Sequence, residues 1–273
     1  MSGHTFTLTY PRVFGRLGSR ALAAPLLALA IVLGSTAASQ AAETDVALDS
    51  AYVDVSNVAS LQSGARTFVN YCLGCHGAAM VRYNTLLGLG LTEAQVKDNL
   101  MFTGEKIGEY MHTAMPARDA KDWFGIAPPD LSVIARSRGA DWLYTYLRGF
   151  YRDPESPTGW NNTVFPNVGM PHALWQLQGE RVRKEAPVMR DGKEVGDGHG
   201  GVLKTVTFET VRPGTESVAE YDRTVRDLVN FLVWIGEPAQ AKRKELGVFV
   251  LLALGVLILL SYLLYKNYWK DVH

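Results

Sequence analysis

The pentapeptide Cys72-Leu73-Gly74-Cys75-His76 holds both cysteines of a 273-residue chain. It constrains the fold more than any other stretch, because no cysteine is left for a disulfide framework and the pair must suit a chemistry of its own. A disulfide between residues this close closes too small a loop to staple a domain. A thioredoxin-like redox pair needs its cysteines at a helix start in a β-α-β pattern, and none surrounds this one. A zinc site needs more soft ligands, and no second cysteine pair supplies them. What remains is covalent haem c attachment, in which two thioethers pin one edge of a porphyrin and the adjoining histidine turns its imidazole toward the iron. One such motif implies one haem.

The two ends of the chain set the compartment. Arg12, Arg16 and Arg20 precede the apolar run ALAAPLLALAIVLG, and the small-residue stretch STAASQAAETD follows it. This order reads as a secretory signal peptide over residues 1–41, with Ser39 and Ala41 placed for cleavage after Ala41. A retained anchor is the rival reading, and its apolar core is short of the ~20 residues of a span. Cleavage would leave 24 basic and 27 acidic residues, a net charge of −3. With no basic patch, arm or lysine stripe, no nucleic-acid partner is expected.

Residues 246–265 carry no charge over 20 positions, roughly 30 Å of helix and the thickness of a hydrocarbon core. Tyr262, Tyr265, Tyr268 and Trp269 gather at the far end, as in an interfacial aromatic belt. The expected order is signal peptide, exported haem c domain at 42–241, transmembrane anchor at 246–265 and cytoplasmic tail at 266–273. The basic stretch KRKE before the anchor opposes the positive-inside rule, but a cleaved signal places the domain outside. The protein is thus expected in a bacterial inner membrane with its haem domain in the periplasm.

A helix leads into the motif, with Leu61, Ala65, Phe68, Val69 and Cys72 on one stripe and Asn57 or Ser60 at its start. The second axial ligand is more open. His4 leaves with the signal, His273 lies beyond the anchor, and Met80 is too near the motif to reach around a porphyrin. Met101 and Met111 read as core fillers. His112, His172, His199, Met115, Met170 and Met189 remain. Met115 and Met170 both precede proline, which favours extended backbone. Met170 lies in the Gly-, Pro- and Asn-rich loop NNTVFPNVGMPHALW, so spacing ranks it ahead of Met115 and His172. A thioether ligand favours ferrous iron and raises the potential relative to two histidines, which suits an electron relay better than an open site.

Several stretches then match one family in order: DVSNVASLQSGARTFVNYCLGCH, VRYNTLLGLGLTE, APPDLSVIARSRG, FPNVGMP and LVNFLVWIGEP, with the anchor last. The chain resembles the cytochrome c1 family, the haem subunits of quinol–cytochrome c reductase (bc1) complexes, in a bacterial form. The resemblance implies a mainly α, cytochrome c-like helical haem domain with one C-terminal transmembrane helix. It implies haem held by Cys72 and Cys75, His76 as proximal and Met170 as distal iron ligand, and the Pro129 carbonyl accepting the other imidazole N–H. Arg138 would meet a haem propionate, with Arg136 second; without the resemblance both read as solvated helix charge. The chain would carry electrons from a Rieske iron–sulfur protein to a cytochrome c, beside cytochrome b in the lipid bilayer.

The last soluble helix would carry Val218, Tyr221, Val225, Leu228 and Leu232 on one stripe. Residues 179–214 depart from shorter members of the family. Asp191-Gly192 is a hairpin-turn signal and VLKTVTFETV alternates like a strand, so a β-hairpin insertion is expected there, with His199 an exposed turn residue. Two rival functions stand beside this reading. One is a membrane-tethered c-type electron shuttle or oxidase c-subunit outside a bc1 complex, disfavoured by the lack of a flexible tether before KRKELG. The other is a haem enzyme or gas sensor with an open sixth position.

Overall fold

The structure, a computed structural model, describes residues 46–190, 193–196, 201–202 and 204–271. The expected signal peptide, the Asp191-Gly192 turn and His199 lie outside the described residues. In chain order the elements are α1 (Val58–Thr67), β1 (Ala78–Arg82), α2 (Glu93–Asn99), β2 (Tyr110–Met111), α3 (Ala117–Phe124), α4 (Ile134–Arg138), α5 (Ala140–Arg148), β3 (Phe150–Arg152) and β4 (Trp160–Asn162). There follow α6 (Trp175–Gln178), β5 (Gly179–Pro187), β6 (Met189–Arg190), β7 (Lys193–Glu194), β8 (Lys204–Pro213), α7 (Val218–Gly236) and α8 (Gln240–Trp269). The mainly helical haem-domain fold with a strand insertion and a long apolar C-terminal helix is the expected one.

Its centre is a crossing of α1 and α7. Asn57, rather than Ser60, caps α1 by accepting from the Ser60 amide at 3.1 Å. The Ser60 hydroxyl is thereby free to donate to Asp227 on α7 at 2.6 Å. Leu61, Ala65, Phe68 and Val69 are buried as the stripe requires. A capping box between Ser217 and Glu220 starts α7, which buries Tyr221, Val225, Leu228 and Leu232. Val218 departs from its expected stripe at 80% exposed, because as the first residue past the cap it lies beyond the crossing. The helices approach closely at Gly64, where a Cβ would fall 2.0 Å from the Asp227 carbonyl oxygen and 2.7 Å from Phe231 Cβ. Phe68 and Phe231 pack beside this point with ring centroids 5.6 Å apart. A single π-helical turn, Phe68–Cys72, then carries α1 into the cysteine motif; such turns recur at functional sites.

The 179–214 region forms strands, but it is not a freestanding hairpin. β5 and β8 pair antiparallel from Gly179↔Pro213 to Pro187↔Lys204. β5 also runs parallel to β3, completing a sheet ordered β4-β3-β5-β8. Gly179 has φ +91°, and a Cβ there would meet the Arg212 carbonyl oxygen at 2.4 Å. Arg181 donates to the carbonyls of Arg148 and Phe150, so the root of the insertion completes the C-terminus of α5.

Two adjacent asparagines shape the loop after β4. Asn162, fully buried, accepts from the amides of Val164 at 2.8 Å and Phe165 at 3.2 Å, and donates to the Tyr146 carbonyl at 2.7 Å. Asn161 accepts from the Asn167 amide at 2.8 Å. Replacing Asn162 by alanine strands the buried Val164 amide at about 1–3 kcal/mol before relaxation, while the Tyr146 carbonyl keeps the Gly149 amide and Phe165 is exposed. The expected loss is about 2 kcal/mol of unfolding free energy, read from a denaturant titration of the solubilised protein. A loss below about 1 kcal/mol would show that the loop finds other partners.

Between α7 and α8 stand only Glu237, Pro238 and Ala239. Glu237 is paired with Arg243 of α8, and Arg136 of α4 lies 3.9 Å from it. Thirty residues make α8 about 45 Å long. Among the described residues it is the one helix long and apolar enough to cross a membrane.

Candidate haem c site

The π-helical turn ends at Cys72, and the Cys72 carbonyl accepts from the amides of Cys75 at 3.0 Å and His76 at 2.8 Å. Both thiols are unbridged. Burial, with Cys75 beside it, pushes the Cys72 thiol up to about 12, and burial raises Cys75 as well. A thioredoxin-like pair needs a depressed thiol, so that reading fails on electrostatics as well as on fold. Among the described residues no group of three or more His, Cys, Asp and Glu side chains could hold a metal ion, and the zinc reading gains nothing.

The APPDLS segment is stitched along the residues after the motif. Leu131 donates its amide to the Gly77 carbonyl at 2.8 Å. Asp130 accepts from the Ala79 amide at 2.6 Å, and the Ser132 hydroxyl accepts from the Met80 amide at 3.0 Å. These bonds place the Pro129 carbonyl 2.8 Å from His76 Nδ1. A carbonyl oxygen can only accept, so Nδ1 carries the proton and the Nε2 lone pair is left free. Burial lowers the basicity of His76, while Pro129 and Asp130 oppose that shift. A buried, oriented, neutral imidazole beside two unbridged thiols is a donor set that fits haem c. Asp130 and Ser132 were not singled out in the sequence, although both lie inside the APPDLS stretch.

Met170 is half-buried against the core. Its Sδ accepts from the Tyr146 hydroxyl at 3.3 Å. Burial raises the Tyr146 phenol, with the positive charge of Arg138 opposing, so the hydroxyl stays a donor. A cavity of about 800 Å³ beside the methionine loop is lined by Val168, Gly169 and Pro171, by Trp123, Phe124 and Gly125 at the end of α3, and by the turn at 153–158; none of Cys72, Cys75, His76 and Met170 lines it, so it is separate from the attachment motif.

Of the other expected ligands, His172 is stacked on Phe150 with centroids 4.8 Å apart and 4° between planes. Burial drives its basicity down to about 3, with Arg181 adding to the shift and Gln178 opposing; its ring is part of the core. Met80 and Met189 are exposed, and Met111 is fully buried. Met115 is half-buried near the motif, its amide held by Thr113. The two arginines diverge. Two helical steps place Arg136 and Arg138 about 200° apart around α4. Arg138 lies over Trp142 at 5.1 Å, while Arg136 reaches Glu237 at the anchor junction.

A model of the Cytochrome C1 family matches residues 50–272. The chain belongs to the cytochrome c1 family. It is 48% identical to the cytochrome c1 of Allochromatium vinosum over 227 residues, covering 83% of this chain and 90% of that one. It is 46% identical to a Nitrosomonas europaea protein named ammonia monooxygenase gamma subunit over 247 residues, covering 90% and 97%. Identity to the cytochrome c1 of Rhodospirillum rubrum is 28% over 239 residues, covering 78% and 81%. For a cytochrome c1-family chain, the single Cys72-x-x-Cys75-His76 motif is the attachment site of one covalent haem c, and the chain is a c-type electron carrier. Among the described residues α8 is the single membrane-spanning helix, and the haem domain it carries faces the periplasm.

Proposed function

We propose that this cytochrome c1-family chain is the electron-relay subunit of a quinol–cytochrome c reductase complex. It would take single electrons from a Rieske iron–sulfur protein and pass them to a cytochrome c, with cytochrome b as its membrane neighbour. The observation that carries this is the junction of α7 and α8. Three residues, pinned by Glu237 to Arg243 and Arg136, give the haem domain none of the reach a tethered shuttle needs. A domain held at the membrane surface suits a docked subunit.

Haem c, when bound, supplies the one-electron ferrous–ferric couple. The chain's own residues do the rest. Cys72 and Cys75 would hold the macrocycle through thioethers, and His76, its ring fixed by the Pro129 carbonyl, would offer Nε2 to the iron. Met170 would supply the second ligand, a thioether that raises the potential relative to a second histidine. Arg138 would pair with a propionate, whereas Arg136, expected second there, would serve the anchor junction through Glu237.

Mild detergent purification from native membranes tests the assignment. The expected isolate contains b-type haem, an iron–sulfur protein and quinol-dependent cytochrome c reduction together with this chain. If the chain comes away alone with only haem c while the activity stays in another fraction, the shuttle reading replaces it. The Nitrosomonas relative's name points to a second complex to look for, and the polypeptides that travel with the chain tell the two apart. Replacing Met170 by leucine tests the ligand. Carbon monoxide should then bind the reduced protein at least about tenfold more tightly, roughly 1.4 kcal/mol, and an unchanged affinity would exclude Met170 as the ligand.

A further inference from the structure

We infer that Tyr146 positions the Met170 thioether through a hydrogen bond to Sδ and, by drawing electron density from the sulfur, raises the reduction potential of the site. This rests on the reading of Met170 as the distal ligand. The Tyr146 hydroxyl lies 3.3 Å from Met170 Sδ and donates to it. A thioether sulfur is a weak acceptor, and donating one lone pair to iron leaves it another for a phenol. A donor at that second lone pair makes the sulfur a poorer donor to iron, which disfavours the ferric form.

Tyr146 is buried and held by two neighbouring rings, which limits where its hydroxyl can point. Its ring stacks on Trp142 with centroids 4.8 Å apart and 11° between planes, and meets Phe150 edge-on at 5.1 Å. Phe150 in turn stacks on His172 of the methionine loop, and Trp160 meets the same ring edge-on at 5.1 Å. Positions 142 and 146 repeat along one face of α5 and the column continues at 150 in β3, so helix, sheet and loop are joined by one run of rings. The Tyr146 carbonyl accepts from Asn162 at the start of that loop. One residue therefore holds both the root of the loop and its sulfur.

The test replaces Tyr146 by phenylalanine in the full-length, haem-loaded protein, keeping the ring column and deleting only the hydroxyl. Tyr144→Phe, which removes a phenol bonded to Arg226 at 3.4 Å, is the control. The expected result for Tyr146→Phe is unchanged haem content and an altered thioether-to-iron charge-transfer band. The ferrous-to-ferric ratio at fixed ambient potential should fall about threefold, about 28 mV at 59 mV per tenfold for one electron. Tyr144→Phe should change neither readout. If Tyr146→Phe keeps the parent's band and potential while Met170→Leu changes both, the inference is overturned and the ligand assignment stands. If Met170→Leu also leaves both unchanged, the ligand assignment fails and takes the inference with it. Should Tyr146→Phe not mature, resonance Raman of the unaltered protein in D2O reads the same contact. A shift of the iron–thioether stretch on deuteration supports the bond, and no shift overturns it.

Discussion

Replacing Gly64 by alanine should cost about 3 kcal/mol or more, the upper end of what overpacking a core imposes. The added methyl would sit 2.0 Å from a backbone oxygen of α7 and 2.7 Å from Phe231 Cβ, and backbone cannot turn aside as the end of a flexible side chain can. The helices must then separate. Separation would weaken the Ser60–Asp227 bond, the Asn230 donation to the Asp54 carbonyl at 2.7 Å and the Phe68–Phe231 contact together. The damage should reach the site, because α1 continues through the π-helical turn into Cys72. A lower yield of haem-loaded protein and a lower unfolding midpoint should therefore appear together. Gly108→Ala is the control, since a Cβ there meets nothing within 4 Å, and its effect should stay within about 0.5 kcal/mol. Equal stability of the two variants would show that the crossing has slack.

That crossing also marks the limit of what the sequence could say. The stripes of α1 and α7 were legible because burial repeats every three to four residues along a helix, and the anchor was legible because it is apolar on all faces. Gly64 read as one glycine in a helix. Its meaning lies in Asp227 and Phe231, more than 160 positions away, and no local pattern carries that. The same holds for the sheet. VLKTVTFETV announced a strand, but nothing in its alternation said that its partner would run beside β3 and seal the end of α5 with Arg181.

At the site, residues inside short motifs were within reach of reasoning, and those that join motifs were not. Pro129 could be named because the family resemblance runs through APPDLS, which docks as a unit on the stretch after His76. Arg136 and Arg138 were named from the same resemblance, in ARSRG, yet on a helix two residues apart face opposite ways. Tyr146 was missed altogether. In sequence it is one of several aromatics in WLYTYL, and only the fold singles out the one whose hydroxyl reaches Met170. Asn161 and Asn162 marked a loop by composition; that their side chains bind its backbone is visible only in three dimensions.

Converting Cys72 and Cys75 together to serine should remove covalent haem and, with it, much of the helical structure. The chain has no disulfide to restrict its unfolded state. Its core is therefore expected to be completed by the haem that Cys72 and Cys75 attach. Thioethers make that group part of the chain, so its occupancy does not depend on free haem. With serines in place, the proposed ligands His76 and Met170 could still hold haem by coordination, but only by mass action, and the stabilisation would fall with the free concentration. Either single serine variant keeps one thioether, and so keeps the group at a high effective concentration. The expected order is thus parent, then single variants with reduced but covalent haem, then a double variant whose haem extracts into acidified solvent and whose far-UV helicity collapses. Far-UV circular dichroism and a denaturing gel stained for haem separate these outcomes. If the double variant lost its haem and kept its helicity, the α1–α7 crossing would be self-sufficient, and haem would be a passenger in the fold rather than part of its core.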